Sequence, residues 1–332
     1  KKKKKKKNQK KKKTKKSKNQ KKKKMLSFLK NLTDFILYDY WEENGDPRSK
    51  DFWLVKGGPS EFILFILFYL FFCLRLGPYL MRNHRPFQLR HLMLFYNIST
   101  VLLNVYFFIS SLHHLNYGIE LLNFKFPSRT NLSEEEFRKA NLVHFYLWTK
   151  LYDLLDTVFF VLRKKYNQIT GLHLYHHAVV PLLGWAALKL APTAPCLGVF
   201  PLCNTFVHVI MYSYYALAAM GPSVQKYLWW KRYITQLQLA QFVIYGIYAI
   251  VFLNLQEGYP VKFWSFIGSP QPFIFFFLFY RFYQKSYNGG EKSISSLSST
   301  ITEIESKQKQ SNGVLKKIDR EDPEHEKHVK HD

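Results

Sequence analysis

Apolar residues concentrate in seven segments of the chain, each close to the ~20 residues that cross a bilayer as a helix. Polar turns separate the segments, and pairs such as Gly77-Pro78 and Gly221-Pro222 mark their ends. The pattern predicts an all-α membrane protein with seven transmembrane helices in one domain, residues 61–285. The segments cover approximately residues 61–76, 91–110, 142–162, 170–190, 197–220, 233–255 and 263–282.

Four of these segments also carry polar side chains at three- or four-residue spacing, which places them on one face of each helix. An ionisable group inside a membrane is unfavourable unless it has a partner or a function. Four such stripes therefore predict a narrow polar chamber between four helices. The stripes are Lys150, Asp153, Asp156 and Thr157 in the third segment, His173, His176 and His177 in the fourth, Asn204, His208, Met211, Tyr212 and Tyr215 in the fifth, and Thr235, Gln238 and Gln241 in the sixth.

Each stripe also has a purely structural interpretation. The lysine and aspartates of the third segment could form a buried ion-pair network without chemistry. The tyrosines of the fifth segment could be a packing stripe, and the glutamines of the sixth could join helices by hydrogen bonds. The histidines are harder to explain in this way, because His208 adds a fourth imidazole to the three of the fourth segment.

The distribution of basic residues predicts how the segments are oriented. The linkers after the first, third and fifth segments are the more basic ones, and the positive-inside rule places them in the cytosol. The N-terminus is then luminal and the C-terminus cytosolic, and two glycosylation sequons, at Asn31 and Asn131, fall in predicted luminal stretches. The chamber should open to the cytosol beside the basic residues Arg163, Lys164, Lys165, Lys231 and Arg232, with Gln168 at the entry.

This arrangement favours a ligand with two chemically different ends. Basic residues at the mouth of a pocket suit a phosphorylated group. Deeper in the fourth segment the sequence becomes apolar, from Val179 to Leu183. A ligand with an anionic head and a long apolar tail fits both features.

The two ends of the chain are polar. Residues 1–24 contain 18 lysines, which supply most of the formal net charge of +26. Because Met25 follows directly and the tract would have to cross into the lumen, we expect residues 1–24 to lie outside the mature protein rather than to bind nucleic acid. Residues 25–60 are predicted to be an N-terminal luminal and interfacial segment, and residues 286–332 a disordered cytosolic tail.

Two kinds of histidine chemistry fit the cluster. The spacing H-x-x-H-H resembles one histidine box of the membrane di-iron desaturases and hydroxylases, but the other close pair, His113-His114, is predicted to lie outside the spans. The alternative needs no metal: one imidazole accepts an acyl group from a thioester, and another moves protons or stabilises an enolate. The three cysteines form neither a disulfide framework nor a metal-binding spacing, and a single Cys196–Cys203 bridge stays open.

The polar motifs together resemble those of the fatty acid elongase family, the elongation of very long chain fatty acids proteins of the animal type. The resemblance covers about residues 45 to 285, with the motifs in the family's order and spacing. One departure is Asp153, where the family usually has glutamate. The matching motifs are Lys150-x-x-Asp-x-x-Asp156-Thr157, Gln168 with His173-x-x-His176-His177, His208-x-x-Met211-Tyr212-x-Tyr214-Tyr215, and Thr235-x-x-Gln238-x-x-Gln241.

The resemblance implies a fold, a reaction and partners. It implies seven helices in the endoplasmic reticulum membrane, six of which enclose a tunnel. It implies condensation of a long-chain acyl-CoA with malonyl-CoA to a 3-oxoacyl-CoA, CoA and CO2, with no bound cofactor or metal. A ketoacyl-CoA reductase, a dehydratase and an enoyl-CoA reductase would complete the cycle, and a homo-oligomer stays open.

The resemblance also implies roles for individual residues. His176 would be the acyl-accepting nucleophile and His208 its partner at the reacting centre, while His173 and His177 would serve acid–base or orienting roles. Lys150, Asp153 and Asp156 would hold the histidines, and Tyr212, Gln238 and Gln241 would line the chamber. The basic cytosolic loops would meet the CoA phosphates. A seven-helix lipid transporter or receptor, and a di-iron desaturase or hydroxylase, remain the alternatives.

Overall fold

The structure, a computed structural model, describes residues 2–259 and 267–288. The chain divides into a first unit that ends at Phe276 and a second unit that begins at Phe277. Within the described residues there is no β-strand beyond an isolated bridge between Lys125 and Glu257. The prediction of an all-α protein is therefore confirmed for this part of the chain.

Twelve α-helices follow one another in the described residues. They are α1 (Lys2–Asp34), α2 (Tyr40–Asn44), α3 (Ser60–Phe71), α4 (Gly77–Leu80), α5 (Arg90–His114), α6 (Glu134–Tyr152), α7 (Leu155–Leu162), α8 (Gly171–Leu190), α9 (Val199–Ala219), α10 (Pro222–Gln225), α11 (Lys231–Leu255) and α12 (Gln271–Tyr283). Short 3-10 turns cover Asn116–Leu122, Tyr166–Gln168 and Pro195–Gly198, and π-helical turns cover Phe35–Asp39, Phe72–Leu76 and Gln284–Asn288.

Four helical stretches in the described residues are long and apolar enough to cross a membrane. They are Ser60–Leu80, Arg90–His114, Pro195–Ala219 and Lys231–Leu255, and they match the first, second, fifth and sixth predicted segments. The third and fourth segments are also helical but carry the ionisable stripes. The seventh includes residues 263–266, which lie outside the described residues, as does most of the predicted tail, 289–332. The number of seven spans stays a prediction.

The third predicted segment is not one continuous helix, and this expectation was wrong. α6 ends at Tyr152 and α7 begins at Leu155. Around the break the amides bond three residues back instead of four, as in the bonds from Leu154 to the Leu151 carbonyl and from Thr157 to the Leu154 carbonyl. This tighter winding displaces the two halves of the polar stripe relative to a regular helix.

Two other boundaries also differ from the pattern. The first span continues through Gly77-Pro78 to Leu80, because a proline in the first turn of α4 needs no backbone donor. α5 runs on to His114 and so includes the pair that the sequence placed outside the helix.

In the first unit, α9 packs against both α5 and α11, and α6 packs against α8. The largest buried apolar cluster joins α3, α6 and α8 to the segment before α3. At its centre the rings of Trp41 and Trp185 lie 4.8 Å apart, and the Trp185 indole donates to the Leu54 carbonyl at 2.7 Å. Residues such as Phe95 and Leu102 on α5 are largely exposed, as expected for helices that face lipid.

A buried ion-pair cluster fastens the segment before α3 to the ends of α6 and α8. Arg48 contacts Asp46 at 2.6 Å and Glu136 of α6 at 2.7 Å, and the pair Arg48 and Asp46 is almost fully buried. The Asp46 amide donates to the carbonyl of Lys189 at 2.7 Å, and the Lys189 ammonium donates to the Val55 carbonyl at 3.1 Å. We call Asp46, Arg48 and Glu136 the clasp.

Candidate active site

The three histidines of α8 form one cluster, as their spacing predicts. Thr170 caps the helix, because its hydroxyl accepts the amide of His173 at 3.2 Å. The ring centroids of His173 and His177 lie 4.2 Å apart, and those of His176 and His177 lie 5.4 Å apart. His177 is buried between the other two rings, which are partly exposed.

A second group of polar side chains joins α6 to α9. The ammonium of Lys150 donates to Asp153 Oδ2 at 2.8 Å and to Asn204 Oδ1 at 3.1 Å. The amide of Asn204 lies 3.2 Å from His208 Nε2, one turn further along α9. All four side chains are buried, so the lysine charge is balanced by the aspartate inside the protein.

Asp153 and His208 face each other without a hydrogen bond. His208 Nδ1 lies 3.8 Å from Asp153 Oδ2. Asp153 Oδ1 and His208 Nδ1 are both buried and lack a hydrogen-bond partner within the described residues. This 3.8 Å separation occurs at Asp153, the position where the family that the motifs resemble usually has the longer glutamate.

Asp156 and Thr157, on α7, point to different partners. Thr157 Oγ1 lies 2.8 Å from Nε2 of His173, and the Tyr69 hydroxyl lies 2.5 Å from the same Oγ1. The Tyr212 hydroxyl donates to Asp156 Oδ2 at 2.7 Å. The bond from Thr157 therefore joins α7 to α8, and the bond to Asp156 joins it to α9.

The remaining predicted residues divide into buried and exposed ones. Gln238 contacts the sulfur of Met211 at 3.5 Å, so the fifth and sixth segments meet as expected. Thr235 and Gln241 are buried on α11, whereas Tyr215 is 41% exposed. The residues of the predicted mouth are partly or fully exposed: Arg163, Lys164, Lys165, Gln168, Lys231 and Arg232.

Sequence reasoning missed several residues that contact this cluster. Tyr69 reaches it from α3, and the Tyr146 hydroxyl donates to Asn204 Oδ1 at 3.1 Å. Gln271 accepts a hydrogen bond from Tyr175 at 2.8 Å, and the ring of Phe275 lies 5.4 Å from that of His176. A single tyrosine or glutamine in an apolar run carries no periodic signal, so the sequence pattern could not have identified them.

An apolar cavity of about 260 Å³ lies near the cluster; the four histidines are not in its lining, but Phe275, whose ring lies 5.4 Å from that of His176, is. Lys150 and Phe275 line it close to the cluster, and Val180, Leu183, Ala187 and Leu190 line it along the second half of α8. Ten residues of helix separate Val180 from Leu190, so the lining along α8 extends about 15 Å. Beyond Leu190, Tyr259 also lines the cavity, and its hydroxyl lies 2.8 Å from Cys196 Sγ.

In the described residues, no group of three or more histidine, cysteine, aspartate or glutamate side chains has an arrangement that could hold a metal ion. In the cluster, Nε2 of His173 faces the Thr157 hydroxyl and Nε2 of His208 faces the Asn204 amide. The three cysteines are all free, so the Cys196–Cys203 bridge does not form.

Comparison with known proteins gives a consistent result. The family model described as "ELO: GNS1/SUR4 family" matches residues 55–295. "Very long chain fatty acid elongase 7" of Drosophila melanogaster is 37% identical over 262 residues, which is 76% of this chain and 77% of that protein. "Very long chain fatty acid elongase 1" of Homo sapiens is 38% identical over 264 residues, 77% of this chain and 91% of that protein.

Proposed function

This chain belongs to the ELO family, described as GNS1/SUR4, and from that premise we propose that it elongates fatty acids by joining a long-chain acyl-CoA to malonyl-CoA. The products would be a 3-oxoacyl-CoA, free CoA and CO2. The observation that carries the proposal is that the histidine cluster adjoins an apolar cavity through the contact between His176 and Phe275. An acyl chain in the cavity would bring its thioester carbonyl to the imidazoles.

His176 is the proposed nucleophile because its environment differs from that of its neighbours. Nε2 of His173 is engaged by Thr157, and His177 is buried between the other two rings. His176 packs against Phe275, whose side chain lines the cavity. The contact with Phe275 therefore places the His176 ring beside a side chain that lines the cavity, where the carbonyl carbon of a bound acyl chain would lie.

The proposed reaction has two stages. In the first, a nitrogen of His176 attacks the acyl thioester, the carbon–sulfur bond breaks, and CoA leaves as the thiol with the imidazole proton. In the second, malonyl-CoA loses CO2, and the electron pair of the broken carbon–carbon bond forms an enolate. The enolate attacks the acyl carbon, the carbon–nitrogen bond breaks, and His176 recovers a proton relayed by a neighbouring histidine.

The surrounding residues have supporting roles in this proposal. His208 is the partner that stabilises the enolate, because it lies across from α8 with Asn204 and Asp153 beside it. Lys150 pairs with the Asp153 carboxylate at 2.8 Å and so holds it beside His208. The exposed basic residues at the mouth bind the CoA phosphates, and the depth of the cavity limits acyl length.

The location and the partners are part of the proposal. We place this multi-pass protein in the endoplasmic reticulum membrane, as the family resemblance implies, and the charge asymmetry of the linkers supports a luminal N-terminus and a cytosolic C-terminus. A 3-oxoacyl-CoA must be reduced, dehydrated and reduced again before the next round, so a ketoacyl-CoA reductase, a dehydratase and an enoyl-CoA reductase would act next.

The test is an assay of microsomes that carry the protein, supplied with long-chain acyl-CoA and labelled malonyl-CoA. We expect CO2 release and labelled 3-oxoacyl product, and no product from His176→Ala. Incubation with acyl-CoA alone should add one acyl group to the peptide that contains His176. His113→Ala is the matched control, because His113 is exposed on α5 and should leave the rate unchanged.

Three outcomes would contradict the proposal. Full activity in His176→Ala would overturn the nucleophile assignment. Acyl-CoA binding without CO2 release would favour the lipid transporter or receptor. Stoichiometric iron in the purified protein, with oxygen-dependent product, would favour the desaturase or hydroxylase.

A further inference from the structure

Three side chains from three helices form a continuous hydrogen-bonded line that ends on a histidine. The Tyr69 hydroxyl of α3 lies 2.5 Å from Thr157 Oγ1 of α7. The same Oγ1 lies 2.8 Å from Nε2 of His173 on α8. α3 thereby contacts the histidine cluster through one polar group.

The burial of this line indicates that the hydroxyl of Tyr69 has a purpose beyond packing. Tyr69 is 6% exposed and Thr157 is fully buried. The ring of Tyr69 belongs to the apolar cluster with Phe62, Ile66 and Cys73. Phenylalanine would fill the same apolar space, whereas a buried hydroxyl is costly unless it is hydrogen-bonded. Its bond to Thr157 offsets that cost.

The Thr157 hydroxyl couples the hydrogen bond of Tyr69 to that of His173, because a hydroxyl can donate one bond and accept another. Thr157 has one proton and two lone pairs. If Tyr69 donates to Oγ1, the threonine proton is available to Nε2 of His173, and the imidazole proton sits on Nδ1. If Nε2 carries a proton and donates, Thr157 turns its own proton toward Tyr69. In both arrangements every member keeps a bond, so His173 can gain or lose a proton without losing its orientation.

We propose that Tyr69 is a positioning residue of the reaction and that it acts on His173 through Thr157. The inference rests on the proposed function, in which His173 exchanges protons next to His176. α3, which otherwise supplies apolar surface, would then fix the orientation of His173 in both of its proton arrangements. Tyr69 itself does not touch substrate.

Two conservative variants test the line at its two links. Tyr69→Phe removes one oxygen atom and keeps the ring, and we expect kcat to fall roughly tenfold, the effect of one lost hydrogen bond in a buried site, with the KM for acyl-CoA unchanged. Thr157→Val removes both bonds and should lower kcat further. Thr157→Ser returns the hydroxyl and should restore at least half of the rate.

The double variant shows whether Tyr69 acts through Thr157 or whether the two residues affect the reaction independently. If Tyr69 acts through Thr157, then Tyr69→Phe with Thr157→Val should be no slower than Thr157→Val alone. Tyr38→Phe is the matched control, because it removes the phenol oxygen that contacts Ser60 at the start of α3, outside the site. It should leave kcat and KM unchanged.

The outcomes separate this inference from the proposed function. Wild-type kcat in Tyr69→Phe, or losses that multiply in the double variant, would overturn the positioning role while condensation stands. A wild-type protein that releases no CO2 would overturn the proposed function, and this inference with it. If Tyr69→Phe fails to fold, as judged by its thermal unfolding midpoint, failure of Thr157→Ser to recover activity would overturn the inference.

Discussion

The hydroxyl of Tyr212 donates a hydrogen bond to Oδ2 of Asp156 at 2.7 Å and so joins α9 to α7. The Tyr212 ring also lies 5.5 Å from that of His208, so one residue touches both the carboxylate and a proposed catalytic imidazole. Asp156 as a whole residue is partly exposed, and Tyr212 is almost fully buried. The family motif implied that Asp156 would hold a histidine, whereas the hydrogen bond that the structure resolves goes to a tyrosine.

We predict that Tyr212→Phe lowers both stability and condensation. The variant keeps the ring against His208 but leaves the Asp156 carboxylate without its donor, which costs about 1–3 kcal/mol. The thermal unfolding midpoint in detergent and the rate of malonyl incorporation measure the two effects. Tyr227→Phe, at an exposed tyrosine, should change neither. An unchanged midpoint in Tyr212→Phe would contradict the structural role of this bond.

The gap between Asp153 and His208 leads to a prediction about side-chain length. Asp153→Glu adds one methylene, about 1.5 Å, which is enough to close the 3.8 Å separation to hydrogen-bonding distance. We expect this variant to keep or raise kcat. Asp153→Asn should lower kcat at least tenfold and destabilise the fold, because it leaves the buried ammonium of Lys150 without a charge partner. Equal rates for Asp153→Asn and wild type would contradict this account.

The clasp predicts how stability depends on pH. Burial alone would raise the pKa of Glu136, but the hydrogen bond from Lys139 and the charges of Lys139 and Arg48 outweigh it and lower the pKa below its ordinary value. The stabilisation is therefore present above the ordinary glutamate pKa. It is lost as the pH falls through that value toward the lower pKa of the folded state.

Arg48→Met tests the clasp directly. Removal of the guanidinium leaves buried Asp46 unpaired, so we expect a loss of about 3–5 kcal/mol in the free energy of unfolding near pH 7. Part of that loss should disappear in acid, where Glu136 is protonated in both proteins. Thermal unfolding at several pH values measures it, with Lys50→Met, at an exposed lysine, as the control. A midpoint for Arg48→Met that matches wild type at neutral pH would show that the clasp does not stabilise the protein.

The proposed orientation predicts glycosylation at one of the two sequons that fall in predicted luminal stretches, Asn31 and Asn131. Asn131 is exposed in a turn before α6, where its Oδ1 accepts the Ser133 amide at 3.2 Å, whereas Asn31 lies within the helix α1. A surface loop suits an acceptor asparagine better than a regular helix. We expect one glycan on protein made in microsomes and none on Asn131→Gln, while Asn31→Gln keeps it. Unmodified wild-type protein would count against a luminal position for this loop.

The sequence located the polar side chains of the candidate site better than it located the contacts between them. An ionisable side chain inside an apolar helix is energetically unfavourable and therefore rare, so it stands out in the sequence. Lys150, Asp153 and the four histidines could be identified in this way, by their spacing alone. The break between α6 and α7 could not, because no proline or glycine lies near Asp153. Tyr69 was missed for a related reason: a tyrosine in an apolar run is ordinary packing until its hydroxyl has a known neighbour.

The cavity and the groups that contact the histidine cluster are built from different side chains, apart from Lys150, Tyr146, Gln271 and Phe275. The first half of α8 carries the histidines, and the second half, from Val180 to Leu190, faces the cavity. If the gene is duplicated, the proposed function implies that substitutions in the second half of α8 would change the length of the product. Each copy would then make its own product by the same reaction. Substitutions in the first half would inactivate a copy, so a single helix separates the positions open to diversification from those under purifying selection.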